Sequence, residues 1–372
     1  MKSKVLFTAS IAKHIIRFHL PYLEWFQNQG YETHVACEGD EDIPFTFKKW
    51  KIPFVRTPYS LGHIKAYQQL KTIINTENFE IIHCHTPMAS VITRLAAKKA
   101  RLNGTKVFYT AHGFHFFKGC ATINWLTYYP IEKYLSNFTD VIILINNEDF
   151  NLVIQKKFNS QCFLIPGIGV DNKRFVRVSE TEKNNLRDNY GYNKNNVILL
   201  YLAEFIERKN HRFLIETFEK NKKLFPDLKI LLAGRGILQN EMKQLVIKKD
   251  LSEQIVFLGF RTDVPDLIAL SDIGFSCSKQ EGLGLNLVEE MFCGLPIIAT
   301  QDRGHSEIVE HGQNGFLFQQ NNSNECVNYV QTLYENKILR KEMGEKAYVK
   351  SQLFSLENAK DEMIKIYKIF IK

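Results

Sequence analysis

The sequence predicts an α/β protein of two successive doubly wound, Rossmann-like domains facing a central cleft, and three observations carry that expectation. The chain has 372 residues, and a single hydrophobic core stops growing at roughly 250–300. Short β-branched and apolar runs alternate with amphipathic helical spacers, the rhythm of parallel strands joined by crossover helices. The rhythm lapses once, over residues 166–196, where PGIGVDNKRF gives way to a polar run rich in Asn, Lys and Glu, a composition typical of interdomain connections.

In the first half the strand-like runs are KVLFTA, THVAC, EIIHCH, KVFYTAHG and DVIILIN, with helical spacers such as 64–75 and 88–101. They define a first domain over residues 1–172, followed by a linker over 173–195. The pattern restarts with NVILLYLAEF, LKILLAGRG, IVFLGF, IGFSCS, PIIAT and GFLF, with spacers such as 212–225 and 239–249, and defines a second domain over 196–354. No short repeat suggests a solenoid. Ligands of open α/β sheets bind outside the carboxyl ends of the strands, so function is sought there.

A composition of 45% hydrophobic and 24% charged residues fits a packed globular protein. No apolar run approaches the roughly 20 residues that cross a bilayer, and the apolar part of MKSKVLFTAS is too short for a secretory signal, so cytoplasmic residence is expected. The seven cysteines include no Cys-x-x-Cys pair, so neither a disulfide framework nor a zinc site is expected. The net charge of +8 includes clusters at Lys48, Lys49 and Lys51 and at Lys98, Lys99 and Arg101. Anionic lipid headgroups or phosphorylated substrates suit it; no nucleic-acid partner is expected, since no binding motif accompanies the charge.

The most informative segment is KQEGLGLNLVEEMFCGLPIIAT, residues 279–300. Gly282 and Gly284 permit close backbone approach around Leu283, and Leu285 opens a helix whose first amides can meet an anion. Glu281 stands on the loop, and Glu289, two turns along, can accept hydrogen bonds from vicinal hydroxyls. Arg208 and Lys209 occupy the junction after the first strand of the second domain, where two cations can neutralise a diphosphate in place of a metal ion. In the first domain TAHGFHFFKG places His112 and His115 at a strand end, and EIIHCH adds His83 and His85. These histidines can hold sugar hydroxyls or a transient proton. They could also contribute metal ligands. With no acidic partner nearby and Cys84 pointing away from His83 and His85 by alternation, no metal and no cofactor are expected.

These residues resemble the retaining GT-B glycosyltransferases of the large family that includes bacterial capsular and exopolysaccharide enzymes. The acidic pair Glu281 and Glu289 is the most specific match, and TAHGFHFFKG with NWLTYYPIEKYLS looks like the capsule and exopolysaccharide branch. The resemblance implies that Arg208 and Lys209 bind the donor diphosphate. Glu281 with the amides of Gly282, Leu283, Gly284 and Leu285 would hold the donor sugar and phosphate, Glu289 the ribose, and His112 would sit beside the reacting sugar. The segment 355–372 would cross back to the first domain. The implied reaction is metal-independent transfer, with retention, from a nucleotide diphosphate sugar such as a UDP-sugar. The acceptor would be a saccharide linked to polyprenyl diphosphate at the anionic inner face of the cell membrane.

The sequence departs from the family pattern in three places. Glu204 stands where many members carry Arg, ASIAKHI replaces a Gly-Gly turn, and AGRG at 233–236 replaces Gly-x-Gly-Pro, the change expected to matter least. Two other readings share the fold: a nucleotide-sugar epimerase and a non-catalytic partner in a polysaccharide assembly complex. A dehydrogenase is disfavoured because the first strand–helix junction lacks GxGxxG.

Overall fold

The computed structural model describes residues 2–55, 57 and 60–371; Met1 and Lys372, which end the expected first-domain and C-terminal segments, lie outside the described residues. The chain forms two compact units, Met1–Gly169 with Glu357–Lys372, and Val170–Leu356.

In the first unit the strands are β1 (Lys4–Ile11), β2 (Glu32–Glu38), β3 (Lys48–Lys51), β4 (Ile81–Cys84), β5 (Lys106–Ala111), β6 (Val141–Leu144) and β7 (Gln161–Leu164). They make one parallel sheet in the order β3-β2-β1-β4-β5-β6-β7. The helices are α1 (Ala12–Phe18), α2 (Leu20–Asn28), α3 (Gly62–Glu77), α4 (Pro87–Ala96), α5 (Lys98–Leu102), α6 (Thr122–Leu135) and α7 (Asn147–Gln155). β4 and β6 are buried along their whole length, whereas the edge strands β3 and β7 expose both ends, as a sheet covered on both faces requires. Helix α3 buries Ala66, Leu70 and Ile74, a stripe at i, i+4 and i+8, and stops at Asn78, whose φ of 53° is left-handed. The chain adds β2 and β3 on one side of β1, then returns to lay β4 on the other, pairing Thr8 with Cys84. This reversal is the topological switch point, where ligands of such sheets collect.

A buried ion pair ties α4 to α6. Arg94 is fully buried, donates to both carboxylate oxygens of Glu132 at 2.8 and 3.1 Å, and lies 4.1 Å over the Tyr109 ring. The C-terminal helix, Leu356–Phe370, supplies Tyr367 to this unit; its hydroxyl is 2.5 Å from His83 Nδ1 and its ring stacks on Trp25.

In the second unit the helices are α8 (Glu180–Asn189), α9 (His211–Asn221), α10 (Gln239–Lys248), α11 (Val264–Ala269), α12 (Leu285–Phe292), α13 (His305–Ile308), α14 (Ser323–Glu335) and α15 (Lys337–Ser351). The strands are β8 (Val197–Leu202), β9 (Leu228–Ala233), β10 (Ile255–Gly259), β11 (Ile273–Ser276), β12 (Ile297–Thr300) and β13 (Gly315–Phe318), parallel in the order β10-β9-β8-β11-β12-β13. The switch point lies between β8 and β11, where Ile273 pairs with Leu199.

Residues 173–195, expected as a linker, are part of this second unit and carry α8. A capping box of Ser179 and Glu182 starts the helix. It docks through charge: Arg187 donates to Asp272 at 2.5 Å and to the Leu270 carbonyl at 2.9 Å, and Lys183 meets Asp272 at 2.8 Å. A helix held by ion pairs rather than an apolar stripe looks like a connection in sequence.

All three tryptophans, Trp25, Trp50 and Trp125, belong to the first unit, so their fluorescence follows its unfolding. Glu132→Ala leaves Arg94 as an unpaired buried charge and should cost about 3–5 kcal/mol in urea unfolding. Lys51→Ala, which removes the exposed pair with Asp40, should cost less than about 1 kcal/mol. Equal shifts in the two variants would refute this account of the Arg94 pair.

Candidate functional site

At the switch point of the second unit, the loops after β8 and β11 bring cations to a carboxylate. After β8 the chain makes a single 3-10 turn, Glu207–Lys209, ended by Asn210 in a left-handed conformation. Tyr201 on β8 fixes that turn by donating its hydroxyl to the Lys209 carbonyl at 2.7 Å, and Lys279 N–H, just past β11, donates to the Arg208 carbonyl at 2.8 Å. Both side chains then reach Glu281. Lys209 Nζ donates to Glu281 Oε1, and Arg208 Nη1 donates to Glu281 Oε2 at 3.1 Å and to the Gln280 carbonyl at 2.8 Å.

Glu281 is buried, and burial alone would push its carboxyl up; Lys209 and then Arg208 outweigh that effect and hold it down at about 2. The group is therefore an anion at neutral pH. The Lys209 side chain is 12% exposed and that of Arg208 43%, so Arg208 is the more open to solvent.

A third loop, after β12, holds the backbone of Glu281. Asp302 accepts from the Glu281 N–H and, at 2.7 Å, from the His305 N–H, while Arg303 Nε donates to the Glu281 carbonyl at 3.3 Å. His305 Nδ1 lies 2.8 Å from the Thr300 carbonyl. Sequence reading passed over Asp302, Arg303 and His305, although Asp-Arg-Gly-His, one residue beyond the strand PIIAT, is a signal of the same kind as Ala-His-Gly at the end of β5. Gly284, at φ 101°, immediately precedes α12, and a Cβ there would sit 3.3 Å from the His305 ring. Gly282 and Leu285 are half-buried, Leu283 is buried, and Glu289 lies half-buried on α12.

The two glycines of the AGRG segment have a packing role. A Cβ on Gly234 would come within 1.9 Å of the Ala203 carbonyl oxygen, and one on Gly236 within 2.4 Å of the Phe205 carbonyl oxygen. Both glycines are needed to pack this turn on the loop that leads to Lys209, whatever follows them. Glu204, in the same loop, is exposed. The ASIAKHI junction holds no residue with positive φ among those described, so it turns without glycine.

The first-unit histidines separate into different surroundings. His83 lies with Nδ1 2.5 Å from the Tyr367 hydroxyl and Nε2 2.8 Å from Thr110 Oγ1, so both nitrogens are engaged; burial lowers its pKa to about 3. His115 is exposed and stacks on Tyr128. Cys84 donates its thiol to the Phe108 carbonyl, away from the His83 and His85 rings. His112 is grouped with His14, His19 and His85, one nitrogen of each lying within 4.8 Å of the others. Burial lowers His112 to about 4, leaving a neutral imidazole. This set differs from the one considered in sequence: His14 and His19 take the places of His83 and His115. Beside it, Ser10, His14, Thr86, Met88, His115 and Tyr128 line a cavity of about 300 Å³.

Comparison with known proteins bears on both units. Residues 182–350 match the family described as glycosyl transferases group 1, and residues 4–146 the family described as glycosyl transferase 4-like. EpsD of Bacillus subtilis, named as a glycosyltransferase, is 40% identical over 100% of this chain and 98% of its own length. The UDP-Gal:α-D-GlcNAc-diphosphoundecaprenol α-1,3-galactosyltransferase of Escherichia coli is 26% identical over 87% of this chain and 85% of its own. Among solved structures, Anabaena HepE in complex with UDP-glucose superposes with a TM-score of 0.79 at 21% identity, covering 98% of this chain and 99% of that one.

The depressed pKa of Glu281 has a testable consequence for stability. Its ion pairs contribute fully above its ordinary value near 4.5, and the contribution is lost as pH falls toward about 2. The melting-temperature gap between wild type and Glu281→Gln should be widest above pH 4.5 and narrow between pH 4.5 and 3. A gap that stays constant over that range would contradict the assignment.

Proposed function

We propose that this chain, which belongs to the group 1 glycosyl transferases and has their GT-B fold of two Rossmann-like domains, moves a sugar from a UDP-sugar bound in its second unit to a lipid-linked saccharide. The observation that carries this reading is the pairing of Arg208 and Lys209 with the buried Glu281 at the β8/β11 switch point. Two cations and one fixed anion leave a surplus positive charge where a leaving nucleoside diphosphate gains negative charge. Lys209 has three N–H donors and Arg208 five, so each can keep its bond to Glu281 and still reach phosphate oxygens. The first amides of α12 add a second source of positive potential. Cations and amides already oriented in the free protein need no rearrangement as the bond breaks, and this preorganisation is what lowers the barrier.

In this reading Glu281, with the backbone of Gly282, Leu283, Gly284 and Leu285, holds the hydroxyls and phosphate of the donor sugar, and Glu289 holds the ribose. No divalent ion is required on the diphosphate, because Arg208 and Lys209 take its place. The E. coli relative, by its name, uses UDP-Gal, acts on a diphosphoundecaprenol-linked sugar and forms an α linkage. That name supports UDP as the nucleotide, a polyprenyl-diphosphate acceptor and retention of configuration, with exopolysaccharide or capsule assembly as the setting. We assign His112 no step in the transfer, since its ring belongs to the histidine cluster.

A lipid-linked acceptor calls for a membrane surface, and no helix of the described residues is long and apolar enough to cross one. Helix α6 exposes Ile123, Leu126, Ile131 and Tyr134, which at 100° per residue share one side of the helix. Lys98 lies over the Phe138 and Tyr134 rings near that helix, and Arg101 is already paired with Asp140 at 3.1 Å. Peripheral docking at the cytoplasmic face of the cell membrane would therefore combine an apolar stripe with lysines, instead of relying on charge alone.

Lys209→Ala should lower turnover by roughly 10²–10³, the scale for losing one preorganised charge-stabilising group, and the more exposed Arg208→Ala by less. Turnover of Lys209→Ala within a factor of two of wild type would remove Lys209 from this role. On anionic vesicles at low salt the protein should cosediment, and salt should weaken this only in part. Lys98→Glu with Lys99→Glu should lessen the salt-sensitive part, and Ile123→Asp with Leu126→Asp the salt-resistant part. A protein that ignores anionic vesicles at low salt would refute the docking surface.

A further inference from the structure

We infer that His14, His19, His85 and His112 together bind one late transition-metal ion, with Zn²⁺ the best match, at the switch point of the first-unit sheet. The site does not rest on the proposed sugar transfer, and its residues lie in a different unit from Lys209 and Glu281.

Chain topology alone gathers the four residues. β1 runs directly into α1, which carries His14, and His19 is the single residue between α1 and α2. β4 ends at Cys84 and β5 at Ala111, so His85 and His112 are the first residues beyond adjacent strands. In this way the carboxyl ends of β1, β4 and β5 deliver four imidazoles to one point. One nitrogen from each lies within 4.8 Å of the rest. A tetrahedral ion with Zn–N bonds of about 2.0–2.1 Å needs N···N separations of roughly 3.3 Å, a contraction that side-chain torsions can supply.

A second observation is independent of that geometry. His19 and His85 are buried at 1% and 0% exposure, their rings stack at 3.6 Å, and among the described residues neither nitrogen of either ring has a hydrogen-bond partner. Buried polar atoms are almost always satisfied, and each one left bare costs about 1–3 kcal/mol. Their other close ring neighbours include Phe7 and Tyr22, which do not account for two unsatisfied imidazoles side by side. A metal ion accounts for one nitrogen of each ring, by taking its lone pair.

The donor set selects the ion. Four imidazoles with no carboxylate among them suit Zn²⁺, Cu²⁺, Ni²⁺ or Co²⁺ and not the oxygen-seeking Mg²⁺ or Ca²⁺. Four protein ligands also close the coordination shell, as in structural zinc sites, leaving no position for a reacting water. The ion would tie the α1–α2 junction to the ends of β4 and β5 and hold the wall of the adjoining cavity, to which His14 contributes.

The test uses the full chain without a histidine tag, stripped with chelator and dialysed. Calorimetric titration should show one Zn²⁺ per chain with a rise in melting temperature, and Co²⁺ should give the intense visible bands of a tetrahedral site. His85→Gln should weaken Zn²⁺ binding by more than the roughly 10–100-fold typical of losing an outer-shell partner. His14→Gln, on the half-buried rim, serves if His85→Gln does not fold. His115→Gln should bind as wild type. The inference is overturned if wild type binds less than one equivalent, if binding survives His14→Gln undiminished, or if Co²⁺ shows only the weak bands of an octahedral surface site. UDP affinity should be equal in stripped and Zn²⁺-loaded protein; a loss on stripping would overturn the closed, structural character of the site. Failure of both forms to bind UDP would count against the transfer reading while leaving the metal site standing.

Discussion

A carboxylate taken out of water is costly unless cations meet it, and the second unit is arranged around one such group. Glu281 is ionised only because Lys209 and Arg208 reach it, and they are poised only because it fixes them. The surrounding loops serve that pair. Tyr201 and Lys279 set the turn carrying the cations, Asp302 and Arg303 hold the backbone of Glu281, and Gly234 and Gly236 let the neighbouring turn close against Ala203 and Phe205. Three strand ends, after β8, β11 and β12, thus act as a frame for three charges.

The two units use the same topological position for different chemistry. In each, the strand order reverses beside the first strand of the unit, and the polar residues collect at that reversal. In the second unit the collection is charged, with a surplus cation suited to a diphosphate. In the first it is four imidazoles beside the cavity that His14 helps to line, a set suited to a late transition-metal ion rather than to phosphate. Burial enforces the difference: it lowers the pKa of His19, His85 and His112, whereas Glu281 escapes neutralisation through its cations.

Much of this was legible from residues alone. The period of the apolar runs identified parallel strands and crossover helices, since burial on both faces leaves a continuous apolar signature. The Gly-rich turn between Glu281 and Glu289 and the pair Arg208 and Lys209 stood out because a close-approaching turn that opens a helix, and two cations at a strand–helix junction, are the parts an anion site needs. Helix α8 was missed because its docking depends on Arg187 and Lys183 finding Asp272 about 85 residues away, and charge pairs at that separation leave no period in the sequence. Asp302 and Arg303 were missed for a similar reason: their partner is the backbone of Glu281, which every residue possesses.

The histidines mark the boundary most clearly. Sequence by itself determined that His83, His85, His112 and His115 stand at the ends of two strands, because alternation and strand length are local properties. Which of them face one another was decided only by the order and register of the sheet. Placing β1 beside β4 brought in His14 and His19 from far earlier in the chain, and the C-terminal helix, through Tyr367, took His83 out of the group. The same holds for the charged site, where residue types fixed which groups could meet a diphosphate and the β8–β11 pairing fixed that they do meet one another. Local sequence sets chemistry and secondary structure, whereas long-range strand pairing sets proximity, and a site requires both.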